Sequence, residues 1–339
     1  MNRESTQLRE SLLGLIEADL IQFTNGTCPQ KQPQIGEMVR WHMGWKGSAA
    51  GARHGKRLRP LFLLLFSAIT GCSPHNALPA ATAIELIHNF TLVHDDIQDQ
   101  SDLRHNRAAL WKRYGTAQAI NTGDLLYSLA KLSLARLEND FSAGIILQIA
   151  MIIEQTVFKL GIGQHMDIAF EGSTAIKLAD YMEMIAHKTG DLLSASCKIG
   201  AVLGTSDSEL IMAAGEFGMA IGMAFQVQDD ILGIWGDPAI TGKSNQNDLV
   251  MRKLSLPITM GLENRSRFYE CWNSEHYAEF DLPYLKALLE GEGAKDYSLE
   301  KAAEFAGKAA ALLPRICRED NEYGELLSAV TRELIGRSF

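Results

Sequence analysis

The chain has 339 residues, of which 46% are hydrophobic and 22% charged, a composition typical of a globular protein with a sizeable core. Its net charge of −9 argues against nucleic acid as a partner. Five cysteines without a CxxC spacing argue against a zinc site and a disulfide framework, and predict a reducing, cytoplasmic location.

The N-terminal part of the chain predicts two helices joined by a loop. Leucine and isoleucine recur at helical spacing over residues 1–24. Glycine and proline in residues 25–34 predict the loop, and the second helix is predicted over about residues 35–45. The first stretch is amphipathic and acidic, unlike a signal peptide. The longest apolar run, residues 61–69, is too short to span a bilayer, so no membrane insertion is expected.

A small-residue loop, GSAAGARHGKRLRP, follows and ends in a basic cluster. Its last residue, Pro60, can open a helix, because proline is tolerated in the first turn. Basic side chains beside the free N–H groups of a helix N-terminus form an anion site. A solvated basic loop explains this segment equally well when it is taken alone.

Residues 85–107 begin as an apolar helix and end in aspartates followed by arginines. At 100° per residue, Asp95, Asp99 and Asp102 fall within about 40° of His88, on one polar stripe. Two carboxylates about 4 Å apart repel by about 4 kcal/mol at an effective dielectric constant of 20. The arginines offset part of this repulsion, and a divalent cation such as Mg²⁺, which also binds substrate phosphates, offsets the rest. The alternative is a solvated acidic helix end.

The long central region predicts the fold class. Residues 80–237 contain no proline, and their apolar residues recur at intervals of three and four. This pattern indicates a series of helices with short joints at Gly115, Gly172 and Gly204, and no strand signal is evident. The sequence therefore predicts an all-α protein with a single domain over residues 1–339.

Two polar clusters interrupt apolar helices in this region, GQHMD at residues 163–167 and HKTGD at residues 187–191. A lysine such as Lys188 more often extends to the surface than serves a site. Taken alone, these clusters therefore favour a structural role.

A second acidic centre lies in GMAFQVQDDILGIWGDPAITGK. With Gln226 as the zero of angle, Asp230, Gly233 and Asp237 lie within about 40° of it, and Asp229 lies about 60° to the other side. The following proline predicts that the helix ends by Asp237. Two carboxylate sites facing each other across a helical cavity can hold several Mg²⁺ ions, and nearby bases then complete an envelope for a diphosphate.

These residues resemble those of the trans-isoprenyl diphosphate synthases, over nearly the whole chain from GKRLRP to the C-terminal helices. The DDxxD motif of that family stands here as Asp95-Asp96-Ile97-Gln98-Asp99, within ELIHNFTLVHDDIQDQSDLR. The resemblance implies about ten antiparallel helices around a deep central cavity, and a homodimer. It also implies head-to-tail condensation of isopentenyl diphosphate with an allylic diphosphate, which is dimethylallyl, geranyl or farnesyl diphosphate.

The resemblance implies a metal site of three Mg²⁺ ions. Asp95 and Asp99 would bind ions that bridge to the allylic diphosphate. Asp229 would help to hold a third ion, with Asp230 beside it. Two further residues match a GQxxD pattern that supports the metal site, Gln164 and Asp167.

The resemblance also implies the substrate contacts. Thr189 and Gln226 would turn oxygen atoms toward the allylic carbocation. The residues that would surround the allylic diphosphate are Arg104, Lys188, Lys243 and Lys253. Those that would hold isopentenyl diphosphate are Lys56, Arg59, His88 and His105. No protein base is expected, because the departed pyrophosphate can accept the proton.

Two positions depart from the family pattern. Two adjacent arginines usually follow the first motif, and here they are Arg104 and His105. The isopentenyl site is therefore expected to be weaker, or pH-dependent because histidine titrates near neutrality. The second motif usually reads DDxxD, and Gly233 stands at its last position, with Asp237 a poorly placed substitute. A substitution of Gly233 by aspartate is expected to be tolerated.

Two other readings remain. A class I terpene cyclase shares the helical fold and the first motif but uses one substrate. Lys56, Arg59 and His88 argue against it, as does the absence of the asparagine–serine–glutamate metal motif of cyclases. A non-catalytic subunit of a heteromeric prenyltransferase is the third reading, and the intact first motif argues against it.

The residues before Asp95 are expected to line the tunnel for the growing chain. Thr91 lies one turn, about 5.4 Å, below Asp95 on the same side of the helix. Phe90 flanks it, and a bulky aromatic at that position resembles short-chain synthases, which predicts geranylgeranyl diphosphate with farnesyl diphosphate as the nearest alternative. Phe90 as an ordinary core aromatic is the other interpretation.

Overall fold

The computed structural model describes residues 2–45, 55–173, 175–236, 248–317 and 321–336. Within these ranges the chain is almost entirely helical, which confirms the all-α class. The α-helices are α1 Arg3–Thr27, α2 Pro33–His42, α3 Leu58–Ile69, α4 Pro74–Gln98, α5 Leu110–Tyr114, α6 Thr116–Ala135, α7 Ala143–Phe170, α8 Leu178–Ile185, α9 Asp191–Gly204, α10 Ser208–Trp235, α11 Asp248–Met251, α12 Leu256–Glu263, α13 Arg267–Trp272, α14 Leu282–Gly291, α15 Ala294–Ile316 and α16 Glu322–Ile335. The remaining elements are a π-helical turn at Ala186–Gly190, 3₁₀ turns at Arg136–Asn139 and Tyr277–Glu279, and strands β1 Leu103–Arg104 and β2 Arg107–Ala108.

The residues group into two compact units. Unit 1 comprises Met1–Glu154, Ala195–Ala214 and Glu319–Leu327, and unit 2 comprises Gln155–Ser194, Gly215–Arg318 and Ser328–Phe339. The single domain over residues 1–339 stays a prediction.

Helix α4 carries the first acidic motif of unit 1. Ser73 caps its N-terminus, where the hydroxyl oxygen accepts a hydrogen bond from the His75 N–H at 3.3 Å, and Pro74 occupies the first turn. Residues 77–87 are buried, so the first half of the helix is anchored in the core. The helix ends at Gln98, which leaves the motif in and just after its last turn.

The end of α4 corrects one geometric expectation. Asp102 was predicted on the same helical stripe as Asp95 and Asp99, but it lies beyond the helix and is exposed. Its Oδ1 pairs with Lys112 Nζ at 3.0 Å. Helical angles therefore apply to Asp95 and Asp99 but not to Asp102.

A short hairpin also departs from the expectation of no strands. β1 and β2 pair antiparallel, with Leu103 opposite Ala108 and Arg104 opposite Arg107. The two residues between them, His105 and Asn106, have φ angles of 51° and 61°. A two-residue turn with both φ values positive is the turn that suits a hairpin, and asparagine tolerates it well.

Two helices, α7 and α10, are long and apolar enough to cross a membrane by length and composition alone. In the most apolar window of α10, 67% of the residues are buried, whereas in that of α7 only 28% are. Core helices of globular proteins pass the same test, so α10 needs no further explanation, whereas the exposed apolar face of α7 does.

Candidate active site

The first acidic motif presents three carboxylates in different environments. Asp96 is buried, and Arg104 Nε donates to its Oδ1 at 3.0 Å and to its Oδ2 at 3.2 Å. Burial raises the pKa of Asp96, and the Arg104 guanidinium opposes that rise. Asp95 is half-buried and Asp99 is exposed, so these two are the carboxylates of the motif that reach the surface.

Arg57 organises the basic loop before α3. Its Nε donates to Glu17 Oε2 at 3.0 Å, and its Nη1 donates to Glu85 Oε1 at 2.6 Å. Asn89 Nδ2 donates to the same Glu85 oxygen at 2.9 Å. This buried network ties the loop to α1 and α4, while Lys56 next to it is exposed.

Arg59 and His88, both predicted to hold isopentenyl diphosphate, are in contact. Arg59 Nη1 lies 3.1 Å from His88 Nε2. Burial, and then the Arg59 and Arg104 charges, lower the pKa of His88 well below its usual value. Because arginine can only donate, Nε2 of the neutral ring must accept, which leaves the imidazole proton on Nδ1. His88 therefore orients the Arg59 guanidinium.

His105 stands at the exposed tip of the hairpin. Partial desolvation, and then the Arg104 and Arg57 charges, lower the pKa of His105. The pH dependence of the isopentenyl site through His105 stays a prediction.

In unit 2 a pocket gathers residues from distant parts of the chain. The predicted residues that line it are Asp167, Lys188, Thr189, Gln226, Asp229, Asp230 and Lys253. Lys243, the other predicted lysine, lies outside the described residues. The structure thus brings together four predicted regions of the sequence, which periodicity alone could not connect.

Two glycines let neighbouring helices approach the π-helical turn at Ala186–Gly190. A Cβ on Gly163 of α7 would lie 2.7 Å from Lys188 N, and a Cβ on Gly222 of α10 would lie 2.8 Å from the Gly190 Cα. The residue four positions after each glycine is polar and contacts a side chain of the π-helical turn. Asp167 forms an ion pair with Lys188, and Gln226 accepts a hydrogen bond from Thr189. The close contacts therefore set the positions of Lys188 and Thr189.

Asp230 is 5% exposed and is held by three donors. Its Oδ2 accepts from Tyr181 Oη at 2.6 Å and from Leu256 N at 3.0 Å, and its Oδ1 accepts from Gln226 Nε2 at 3.0 Å. Burial raises the pKa of Asp230 to about 7, while these donors oppose the rise. Asp229, the other half of the pair, is half-buried at the pocket. Metal binding by Asp230 stays a prediction, and its contacts favour a positioning role.

The surroundings of Gly233 bear on the expectation that aspartate is tolerated there, which stays a prediction. A Cβ at this position would lie 2.3 Å from Asp248 Oδ2 and 2.8 Å from its Cγ. The Asp248 carboxylate thus occupies the space beside Gly233, and a larger residue requires it to move. The helical angle of Gly233 was right, but the neighbour from α11 was not foreseen.

Phe90 and Thr91 lie on α4 as predicted, with different neighbours. The Phe90 ring centroid lies 5.3 Å from that of Tyr127 and 5.0 Å from that of His94. Thr91 Oγ1 donates to the His88 carbonyl at 2.8 Å. Phe90 is therefore braced by rings from α4 and α6.

Sequence reasoning missed Tyr181 and Asp248, which complete the pocket of unit 2. Tyr181 lies on the buried face of α8. Apart from its spacing before Lys188, no sequence motif marks it as a site residue. Asp248 follows a segment of loop composition, which gave it no predicted role. Neither residue could have been assigned a partner without the fold.

Among the described residues, no group of three or more His, Cys, Asp or Glu side chains is arranged to hold a metal ion. A hard cation such as Mg²⁺ takes one or two carboxylates and completes its shell with water and phosphate. Asp95 and Asp99 offer such a pair one helical turn apart, and Asp229 offers a single carboxylate at the unit 2 pocket.

Comparison with known proteins gives consistent matches along the chain. The polyprenyl synthetase family model matches residues 48–285. The (2E,6E)-farnesyl diphosphate synthase of Mycobacterium tuberculosis is 30% identical over 326 residues, covering 93% of this chain and 90% of that protein. The geranylgeranyl diphosphate synthase of the same organism is 35% identical over 263 residues, covering 76% of this chain and 74% of that protein. The crystal structure of geranylgeranyl pyrophosphate synthetase from Pyrococcus horikoshii matches with a TM-score of 0.86 at 29% identity, covering 99% of this chain and 98% of that one.

Proposed function

Because the chain belongs to the polyprenyl synthetase family and is a trans-prenyltransferase of the short-chain type, we propose that it makes geranylgeranyl diphosphate. Isopentenyl diphosphate and an allylic diphosphate are the substrates that members of the family use. The product length is the proposal, since relatives named for farnesyl and for geranylgeranyl diphosphate match this chain alike.

The unit 2 pocket is the observation that supports prenyl transfer as the reaction. It combines positive charge from Lys188 and Lys253 with the oxygen atoms of Thr189 and Gln226 and the carboxylate of Asp229. Ionisation of an allylic diphosphate creates negative charge on the leaving group and positive charge on carbon. The lysines stabilise the first charge and the side-chain oxygens the second.

The carboxylates at both motifs fit Mg²⁺, on which the family generally depends. Asp95 and Asp99 would hold it at the first motif, and Asp229 would hold it at the second. When bound, Mg²⁺ supplies Lewis-acid charge that stabilises the departing diphosphate. A total of three ions, and one cavity shared by the two motifs, stay predictions.

Isopentenyl diphosphate is assigned to the basic loop before α3. Arg59 is oriented by His88, and Arg57 fixes the loop so that Lys56 remains at the surface. The departed pyrophosphate takes the final proton, so no protein base is required there. The cytoplasmic location predicted from the cysteines stays a prediction.

Phe90 supports a C20 product as the floor of the tunnel for the growing chain. Its ring is braced by Tyr127 and His94, so it cannot readily turn aside. Removing the ring should therefore open space below Thr91.

The test supplies labelled isopentenyl diphosphate with dimethylallyl, geranyl or farnesyl diphosphate, followed by chromatography of the dephosphorylated alcohols. We expect C20 as the main product, and products of C25 or longer from Phe90→Ala. The matched control is Phe305→Ala on α15, which should leave the product length unchanged. Cyclised hydrocarbons would instead identify a terpene cyclase, and no product at all would favour a non-catalytic subunit. A C15 product from the wild type would assign farnesyl diphosphate.

The exposed face of α7 supports a homodimer. Leu147, Met151, Phe158 and Ile162 are 64%, 51%, 72% and 36% exposed. At 100° per residue they fall within an arc of about 60°, so they form one stripe, here called the α7 stripe. Exposed apolar patches of this kind mark interaction sites, and a second copy of the chain offers the same stripe for a symmetric contact.

A further inference from the structure

A chain of hydrogen bonds runs through the unit 2 pocket from Thr189 to Tyr181. Thr189 Oγ1 donates to Gln226 Oε1 at 2.8 Å, and Gln226 Nε2 donates to Asp230 Oδ1 at 3.0 Å. Asp230 Oδ2 accepts from Tyr181 Oη at 2.6 Å and from Leu256 N at 3.0 Å. Thr189, Asp230 and Tyr181 are 7%, 5% and 2% exposed, so water competes little for these bonds.

The orientation of the Gln226 amide follows from its partners. The amide nitrogen faces Asp230 and donates to its Oδ1, and Tyr181 and Leu256 likewise donate to this carboxylate, an arrangement that suits the ionised form, which can only accept. The amide oxygen is then directed to Thr189 and the pocket. The reversed amide would set an oxygen against the Asp230 carboxylate, and two buried acceptors in contact are costly.

Tyr181 and Leu256 fix the carboxylate in turn. Both donate to Oδ2: Tyr181, on α8, through its side-chain hydroxyl group, and Leu256, the first residue of α12, through its backbone N–H. Oδ1 is thereby left to Gln226. Both carboxylate oxygens of Asp230 are engaged within the protein, whereas Asp229 beside it is half-buried at the pocket.

We propose that Asp230 is a positioning residue, which holds the Gln226 amide so that its oxygen faces the carbon that becomes positive. The proposal rests on the proposed function, because only an allylic cation requires an acceptor oxygen at this point. The proposal also gives the two aspartates of the second motif different roles: Asp229 faces the metal, and Asp230 holds Gln226. A positive carbon beside an amide N–H instead of an amide oxygen would lose electrostatic stabilisation in the transition state.

The first variant is Asp230→Asn, which keeps an oxygen for Tyr181 and Leu256 and places an amide nitrogen against Gln226. Gln226 must then reverse, and its own nitrogen faces Thr189 and the pocket. We expect kcat to fall by about a hundredfold. The KM for the allylic diphosphate and the Mg²⁺ concentration for half-maximal rate should change by no more than about twofold, because neither the lysines nor the metal-facing carboxylates are altered.

The second variant combines Asp230→Asn with Gln226→Glu. The new carboxylate accepts from the asparagine amide and from the Thr189 hydroxyl, so an acceptor oxygen again faces the pocket. The total charge equals that of the wild type. We expect kcat to recover to within about tenfold of the wild type, which a simple loss of packing would not allow.

A direct binding measurement separates positioning from metal ligation. Mg²⁺ binding in the presence of inorganic pyrophosphate, measured by calorimetry, should be unchanged in Asp230→Asn and weakened in Asp229→Asn. If instead Asp230→Asn needs much more Mg²⁺ and recovers its kcat at high Mg²⁺, Asp230 is a metal ligand and the proposal is wrong. Failure of the double variant to recover, with both proteins folded by circular dichroism, would also overturn it.

Tyr181→Phe keeps the test decisive if Asp230→Asn does not fold. It removes one donor from Oδ2 and leaves the Leu256 N–H, so the carboxylate is held less firmly. The same signature is expected on a smaller scale, a lower kcat with unchanged KM and Mg²⁺ requirement. A raised Mg²⁺ requirement would contradict positioning. The experiments distinguish failure of this inference from failure of the proposed function. If the wild type is active but the variants do not show the expected changes, only the positioning role of Asp230 is overturned. If the wild type condenses no substrates, the proposed function is overturned as well.

Discussion

His42 is a histidine of unit 1 whose charge is controlled by its surroundings. It ends α2 beside a pocket that is also lined by Arg57, Arg104 and His105. Its Nε2 has no hydrogen-bond partner within the part of the chain that the structure describes. Burial, and then the charges of Arg104, His105 and Arg57, lower the pKa of His42 to about 3. At neutral pH His42 is thus uncharged in the folded protein.

This shift makes stability depend on pH in a defined direction. Between about pH 6.5 and pH 3 the unfolded chain protonates His42 while the folded chain does not, so stability falls as the pH falls. At pH 5 the loss is about 2 kcal/mol, from 1.5 pH units at about 1.4 kcal/mol each. His42→Asn has no proton to take up, so its free energy of unfolding should fall less steeply between pH 7 and pH 4.

Urea unfolding followed by circular dichroism at several pH values measures this difference in slope. The control is His276→Asn, whose parent side chain is 72% exposed and should leave the slope as in the wild type. Parallel curves for the wild type and His42→Asn would show that His42 does not carry the acid sensitivity.

At the scale of single helices, the sequence predicted well which residues share a helix face, but poorly which residues of other helices they contact. Periodicity along α10 placed Gln226, Asp230 and Gly233 on one stripe, and this geometry holds because an α-helix has a fixed rotation per residue. Periodicity carries no information about which other helix meets that stripe. The contact of Asp248 with Gly233 and that of Tyr181 with Asp230 depend on tertiary packing, and were therefore invisible. The predicted position of Asp102 was wrong for a related reason, because no proline or glycine in the sequence marks the end of α4.

Substitution of Gly233 tests the contact with α11. In Gly233→Asp the new Cβ would lie 2.3 Å from Asp248 Oδ2, and a second carboxylate would be added beside the first. We expect kcat/KM to fall by at least about tenfold, because a displacement of this size disturbs the pocket residues nearby. Gly233→Asp combined with Asp248→Ala restores both the space and the number of carboxylates, and should regain most of the activity.

Gly233→Ala is the matched control, because it adds the Cβ without the charge. The three variants are compared by turnover, Mg²⁺ requirement and melting temperature. If Gly233→Asp alone performs like the wild type, Asp248 yields freely and its place beside Gly233 has no consequence for the site.

At the scale of the whole molecule, the α7 stripe is the feature that a single chain leaves unexplained. Phe158, its most exposed member, is 72% exposed. Composition predicted an apolar helix here but could not tell a buried helix from one that a second copy covers, because both have the same periodicity. The homodimer, predicted from resemblance, stays a prediction, and the α7 stripe is the surface on which we propose that it forms.

Phe158→Glu should convert dimers to monomers, because it places a charge at the centre of an apolar contact. Sedimentation velocity of both proteins measures the mass in solution. Met212→Glu on α10 is the control, since Met212 is 55% exposed and lies outside the stripe. A wild type that sediments as a monomer, or a Phe158→Glu variant that remains dimeric, would remove the α7 stripe from the interface. Binding of the wild type to lipid vesicles would assign the stripe to a membrane instead.

The π-helical turn at Ala186–Gly190 has a consequence for how related chains diverge. The Asp191 N–H bonds to the Ala186 carbonyl, so the path from α8 to α9 contains one residue more than an α-helix would need. A homologue that lacked this residue could form one continuous α-helix from α8 to α9. All residues after the deletion would then be rotated by about 100° about the helix axis relative to those before it. Both flanking helices would survive, but Lys188 and Thr189 could no longer meet Asp167 and Gln226 together. The presence of that extra residue is therefore a simple mark by which homologues that keep the chemistry can be told from homologues that keep only the fold.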